Sequence, residues 1–235
     1  MSTAIVYLIP APLDEAGIDV MQPGILQAIR SCQVIFAENE RTTRRYFKKL
    51  DPSIIIDHFE WVTIHNAEEA VQQQLVQHLK AGKVIGIVSE AGCPGIADPG
   101  QLLVATAHRY GATVKPLTGP SSIVLALMAS GLNGQQFTFN GYLPVDAVQR
   151  RKKLQQLEET SARQQTTQVF IETPYRNNQL LEAIITSCKQ STRLCVAVNL
   201  TGQGEWVVTR TLGEWSKMKP ELHKQQVVFC MLAQR

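Results

Sequence analysis

The sequence predicts an α/β protein of two α/β domains, residues 1–117 and 118–235, on three observations. Short β-branched apolar runs recur along the chain, segments with helical signals lie between them, and a loop rich in glycine and proline follows one of the runs. Such alternation argues for strands covered on both faces by helices, with ligands held beyond the strands' carboxyl ends. A length of 235 residues suits two units of about 100–120 residues, a common domain size.

In chain order, residues 4–9, 33–37, 84–88 and 113–117 are the strands expected in the first half, each nearly continuous in apolar residues. Between them, residues 23–32 open with a proline suited to a first helical turn. Arg41 to Lys49 reads as a basic helix. Residues 67–81 follow Asn66, carry Glu69 at capping-box spacing and stop at Gly82, so both helix ends are marked. At Leu117-Thr118-Gly119-Pro120-Ser121-Ser122 a turn leads into an apolar helix over 123–130, closed by Gly131, and the domain boundary is drawn here. Beyond it, residues 137–142, 168–172, 194–200, 206–212 and 227–232 read as strands, and 146–160 and 175–187 as helices. Gly202-Gln203-Gly204 marks a hairpin, so the second sheet is expected to be mixed.

The loop after 84–88, Ser89-Glu90-Ala91-Gly92-Cys93-Pro94-Gly95-Ile96-Ala97-Asp98-Pro99-Gly100, holds three glycines and two prolines. Glycine permits positive φ and close approach of another molecule to the backbone, while proline fixes φ and removes an N–H. Connections in α/β units run about 2–6 residues. A longer, rigid loop at a strand's carboxyl end points to a ligand rather than to a plain connection.

Composition narrows the classes further. Hydrophobic residues at 44% and charged residues at 18% describe a core-forming globular chain. The net charge of +3 is too mild to indicate a partner; local patches carry that information. Five cysteines form no CxxC pair and have no histidine at ligand spacing, so no disulfide framework, zinc site or other metal is signalled, and a reducing compartment is expected. The amino-terminal MSTAIVYLIPAP lacks a basic leader region and reads as a buried strand, and no run approaches the ~20 apolar residues of a membrane span. A cytoplasmic location without a membrane partner follows.

Five segments in one order, Tyr7-Leu8-Ile9-Pro10-Ala11-Pro12, Ala37-Glu38-Asn39-Glu40-Arg41-Thr42, the Ser89–Gly100 loop, Pro116-Leu117-Thr118-Gly119-Pro120-Ser121 and Phe139-Asn140-Gly141-Tyr142-Leu143-Pro144, resemble the tetrapyrrole methylase superfamily. Within it, the chain is most similar to the branch that methylates a cytidine 2′-hydroxyl of small-subunit ribosomal RNA. The resemblance implies two α/β domains with S-adenosylmethionine in the cleft between them, a homodimer, and ribosomal RNA or the small ribosomal subunit as partner. It further implies that Pro10 borders the cofactor pocket, that Gly92, Cys93, Pro94 and Ala97 line its methionine and ribose, and that Ser121 and Ser122 form a polar pair there. Glu172, Leu200 and Val228 match positions that close around the adenine.

The chain also departs from the family pattern. Its Ala-Glu-Asp-Thr-Arg is here Ala37-Glu38-Asn39-Glu40-Arg41, and its Ala-Arg-Glu-Leu-Thr-Lys is Ala197-Val198-Asn199-Leu200-Thr201-Gly202. A ribose hydroxyl needs its proton withdrawn, so a general base is expected. Glu38 and His65 are the leading candidates, with Glu40, Glu90 and Asp98 behind them. Glu38 could instead pair with Arg41 or Arg44, His65 adjoins the capping Asn66, and Asp98 reads better as a helix cap. Cys93 is read as a contact, not a nucleophile. Arg41, Arg44, Arg45 and Lys48 form the basic helical face expected to hold RNA phosphates, and Gln149-Arg150-Arg151-Lys152-Lys153 is a second basic run. Two alternatives stay open: methylation of a tetrapyrrole carbon, and a catalytically inactive protein that binds S-adenosylmethionine and RNA. A nicotinamide dehydrogenase is disfavoured, because no GxGxxG follows the first strand.

Overall fold

The computed structural model describes residues 3–64, 68–97, 100–218 and 220–234. Two compact units, Met1–Ser121 and Ser122–Arg235, divide the chain, and each is described separately.

The first unit is a parallel sheet in the order β3-β2-β4-β1-β5. Its strands are β1 (Ile5–Ile9), β2 (Val34–Ala37), β3 (Glu60–Thr63), β4 (Val84–Val88) and β5 (Thr113–Pro116). Helices α1 (Pro23–Ser31), α2 (Glu40–Leu50), α3 (Glu68–Lys80) and α4 (Gly100–Arg109) connect them. Alternate residues of each strand enter different cores, as strand geometry requires. Val34, Phe36, Ile85 and Ile87 pack with Leu75 and Leu79 of α3 and Leu103 of α4, while Ile9, Ile35 and Val88 pack with Ile25 and Ile29 of α1 and Phe47 of α2. Tyr46 and Phe47 of the basic helix are buried in this second cluster. Strand β3 is absent from the sequence reading, because it has one buried residue, Val62, at the sheet edge.

The second unit has the sheet order β6-β7-β10-β8-β9, from β6 (Phe137–Tyr142), β7 (Thr167–Ile171), β8 (Arg193–Val198), β9 (Trp206–Thr211) and β10 (Val227–Leu232). Only β6 and β7 are parallel; β7–β10, β10–β8 and β8–β9 are antiparallel. Helices α6 (Ala147–Gln164), α7 (Asn177–Ser187) and α8 (Leu212–Met218) bury Leu154, Leu157, Leu181, Ile184 and Trp215 against Phe170, Val196 and Phe229. Helix α5 (Ser122–Ser130) lies on β8, β9 and β10 and leaves Val124 and Met128 exposed. The run read as a strand to residue 212 turns there into α8. Its Trp215 indole N–H reaches the Leu194 carbonyl at 2.8 Å, and that anchor lies too far along the chain for local periodicity to show.

Candidate active site

The long loop leaves β4 at the carboxyl edge of the first sheet and is held to two other motifs. Ala11 and Gly92 exchange backbone hydrogen bonds of 2.8 and 3.0 Å, and the Cys93 thiol lies 3.4 Å from the Pro120 carbonyl oxygen. Gly92, Gly95 and Ala97 have φ of 74°, 81° and 63°. A Cβ on Gly92 would find ordinary contact, 3.4 Å from Leu13, so backbone conformation, not lack of space, requires glycine there. Gly119 is different: a Cβ there would lie 2.2 Å from Pro10 Cβ. Pro10 is buried against this glycine, and its carbonyl accepts the Tyr46 hydroxyl at 2.9 Å. Burial also raises the Tyr46 pKa, so that hydroxyl stays protonated and donating.

Beside the loop, Glu38, Ile64, Ile87, Val88, Ser89, Pro94 and Gly100 line a recess too narrow to admit a water molecule. The Glu38 amide donates to Val88 O at 3.0 Å, and its carboxylate accepts the Glu90 amide at 2.8 Å. The alternative pairing of Glu38 is displaced: Arg44 pairs with Glu40 at 2.5 Å and lies 5.0 Å over the Trp61 ring. Asn39 accepts the Thr42 amide at 3.2 Å as helix cap and donates its own amide to Glu90 at 3.1 Å. Aspartate could cap, but it could not donate. The departure from the family pattern therefore has a structural use.

The basic face is only partly free. Arg41 and Arg45 are exposed, whereas Arg44 is engaged and the Lys48 ammonium donates to Pro52 O at 2.9 Å. In the second basic run, Arg150 is buried and donates to Val145 O at 2.9 Å, so it cannot serve an exposed RNA face. His65, with Asn66, and Asp98 lie outside the described residues. Burial pushes the thiols of Cys32 and Cys188 up to about 12, so neither is an activated nucleophile. Among the described residues no group of three potential metal ligands occurs, and no helix is long and apolar enough to cross a membrane.

In the second unit, β6, β7 and β8 end and β10 begins at one sheet edge, because β7 and β8 both run opposite to β10. Glu172, just past β7, is buried; one carboxylate oxygen accepts the Thr173 amide at 2.7 Å and the Arg176 guanidinium at 2.6 Å. Its Oε2 has no partner, nor have Arg176 Nε, Asn177 Oδ1 and Thr201 Oγ1. All four lie beside this edge. Buried polar atoms are nearly always paired, so this concentration suits a ligand that supplies both donors and acceptors. Leu200 and Val228 are buried at the same edge. Asn199, with φ of 48°, accepts the Gln226 amide at 3.1 Å and donates to Gln225 Oε1 at 3.2 Å, so this second departure also has a structural use. Ser121 precedes α5 and Ser122 opens it; both are half-buried.

This arrangement, two α/β units with a glycine- and proline-rich loop after β4, coincides with one sequence family: the profile of the Tetrapyrrole (Corrin/Porphyrin) Methylases matches residues 7–216. The chain belongs to the tetrapyrrole methylase family. Among its relatives, the "Ribosomal RNA small subunit methyltransferase I" of Vibrio cholerae is 32% identical over 89% of this chain and 69% of that protein. The protein of the same name from Xylella fastidiosa is 32% identical over 88% and 72%. The fold matches a uroporphyrin-III C-methyl transferase from Thermus thermophilus, solved in complex with S-adenyl homocysteine, at a TM-score of 0.59 and 16% identity over 97% of each chain. Two signals in this tetrapyrrole methylase were beyond sequence reasoning: the lock of Gly119 on Pro10, and the cluster of unpaired buried atoms at the second sheet's edge. A glycine before a proline, at Gly119-Pro120, was the visible trace of the first.

Proposed function

We propose that this protein transfers a methyl group from S-adenosylmethionine to a ribose 2′-hydroxyl of small-subunit ribosomal RNA. The observation that carries the reading is the likeness, over almost nine-tenths of this chain, to two ribosomal RNA small subunit methyltransferases, joined to a glycine- and proline-rich loop at the end of β4. When bound, the cofactor supplies a methyl group on a positively charged sulfur, already activated for attack. The chain's own task is then alignment, which is worth roughly 7–11 kcal/mol of barrier, and removal of one proton.

Residues of each unit, taken by itself, are assigned to such a cofactor. The positive φ of Gly92, Gly95 and Ala97 shapes the loop around Pro94, and this loop, with Pro10, Cys93, Ser121 and Ser122, is assigned to the methionine and ribose. Glu172 Oε2, unpaired and buried, offers an acceptor to an amino group such as that of adenine, beside Leu200 and Val228. Glu38 is assigned as general base; the Glu90 amide that holds its carboxylate orients it at the recess. Arg41 and Arg45, exposed one helical turn apart, are assigned to RNA phosphates.

The two alternatives lose support. Arg44 is committed to Glu40 and Trp61, which leaves Arg41 and Arg45 as the exposed guanidiniums of that helix for a carboxylated macrocycle. Asn39 and Asn199, which stand where the family pattern is acidic, both have structural partners. The reading includes a homodimer, supported by the apolar Val124 and Met128 exposed on α5, and a cytoplasmic location where ribosomal RNA is available. Labelled S-adenosylmethionine and unmodified small ribosomal subunits test the central claim. Labelled 2′-O-methylcytidine in the digested RNA is expected; label on carbon of an added tetrapyrrole instead, with unlabelled RNA, would overturn the reading.

A further inference from the structure

The edge of the second sheet that gathers the unpaired buried atoms also gathers exposed rings. Tyr142 ends β6 directly opposite Ile171, the last residue of β7, and is 60% exposed. Three residues past Glu172, Tyr175 stands on the β7–α7 turn at 69% exposure. His223, from the segment before β10, meets the Tyr175 ring edge to face at 5.8 Å. That segment is tied to the turn by the Lys224 amide, which donates to Pro174 O at 2.9 Å, so the imidazole braces the phenol ring. Lys224 is exposed beside it, and Glu221, which accepts the His223 amide at 2.7 Å, supplies a compensating negative charge.

Large rings left this open to water at one strand edge contribute little to the core beneath them. Unpaired nucleobases stack on such rings, with about 1–3 kcal/mol per base and little regard for sequence. We propose that the carboxyl edge of the second unit's sheet binds unpaired nucleotides of the RNA substrate, with Tyr175, braced by His223, and Tyr142 as stacking surfaces and Lys224 beside them for a phosphate. This rests on the ribosomal RNA reading and deepens it by assigning where single-stranded nucleotides are held. A double helix, whose bases are already stacked, would not use this surface.

The test compares Tyr175→Ala, Tyr142→Ala and Tyr175→Phe with wild type. Affinity for a short unstructured oligoribonucleotide is read by fluorescence anisotropy, S-adenosylmethionine affinity by calorimetry, and kcat and KM on small ribosomal subunits by label transfer. Each alanine variant is expected to weaken oligoribonucleotide binding about 5- to 150-fold, the range that 1–3 kcal/mol per base corresponds to. KM should rise while kcat and cofactor affinity hold, duplex RNA binding should not change, and phenylalanine should restore what alanine loses. Wild-type oligoribonucleotide affinity in both alanine variants would overturn the proposal. So would a loss of cofactor affinity in place of RNA affinity, which would give the rings to the adenine. Failure of the methyltransferase reading itself would appear separately, as a wild-type protein that labels no RNA.

Discussion

Replacing Gly119 by alanine isolates the packing on which the loop assigned to the cofactor depends. Gly119 is not among the glycines with positive φ, so the added methyl brings no backbone strain of its own; it brings a collision. Its Cβ would stand 2.2 Å from Cβ and 2.4 Å from Cγ of Pro10, against the 3.5–4.0 Å at which carbon atoms attract. Relief needs a movement of about 1.5 Å. The proline ring cannot rotate away, its carbonyl is held by Tyr46, and Ala11 beside it is paired with Gly92. Overpacking costs about 1–3 kcal/mol, and a rigid ring places this case near 3. With a urea slope of about 1–3 kcal/mol per molar, the unfolding midpoint should fall by roughly 1–3 M. Where the chain yields instead, the Ala11–Gly92 bridge opens and S-adenosylmethionine affinity should fall at least tenfold, or about 1.4 kcal/mol. Urea titration and calorimetry read both. A variant with wild-type midpoint and wild-type affinity would refute the claim that Pro10 and Gly119 position the loop. Gly134→Ala, with nothing within 4 Å of its Cβ, is the neutral control.

Other outcomes follow from the same geometry. Glu38→Gln should lower kcat about 10²–10⁴-fold with cofactor affinity preserved, as removal of a general base does; an unchanged kcat would return Glu38 to a loop-holding role. Arg41→Glu with Arg45→Glu should weaken RNA binding and reduce its salt slope by about two without moving cofactor affinity, and an unaltered salt slope would place the phosphates elsewhere. Stability should also report His78, which is buried beside Phe36 and lies 3.3 Å from Glu60. Burial lowers its pKa from the ordinary 6.5, aided by Lys83 and opposed by Glu60. Below pH 6.5 the unfolded chain therefore binds a proton that the folded chain resists, and stability falls as pH drops toward the folded value. Glu60, held below its ordinary 4.5 chiefly by the Lys83 hydrogen bond, loses its contribution only in more acidic solution. Urea midpoints between about pH 7.5 and pH 5 should thus decline in wild type and stay flatter in His78→Gln; equal slopes would discount this histidine.

The amino-acid sequence alone determined the α/β class, the interior strands and the long loop after β4, because these depend on local properties. Val34–Ala37 and Val84–Val88 are continuous apolar runs that must be covered on both faces, and three glycines with two prolines restrict a loop wherever it lies. The five ordered motifs extended that reading to a family and a chemistry. Tertiary structure decided what depends on distant partners. Strand β3 forms because β2 offers it an edge, not because Glu60–Thr63 is apolar. Arg44 looked available for RNA until Glu40 and Trp61 closed on it, and Arg150 until its guanidinium turned inward to Val145. Asn39 looked like a lost carboxylate until the sheet brought Glu90, 51 residues away, within 3.1 Å. The lock of Gly119 on Pro10 and the unpaired atoms of Glu172, Asn177 and Thr201 likewise arise only when the order of strands juxtaposes chain segments. Pattern in a sequence records which faces are buried, whereas hydrogen-bond satisfaction and steric fit are properties of pairs that only the folded chain brings together.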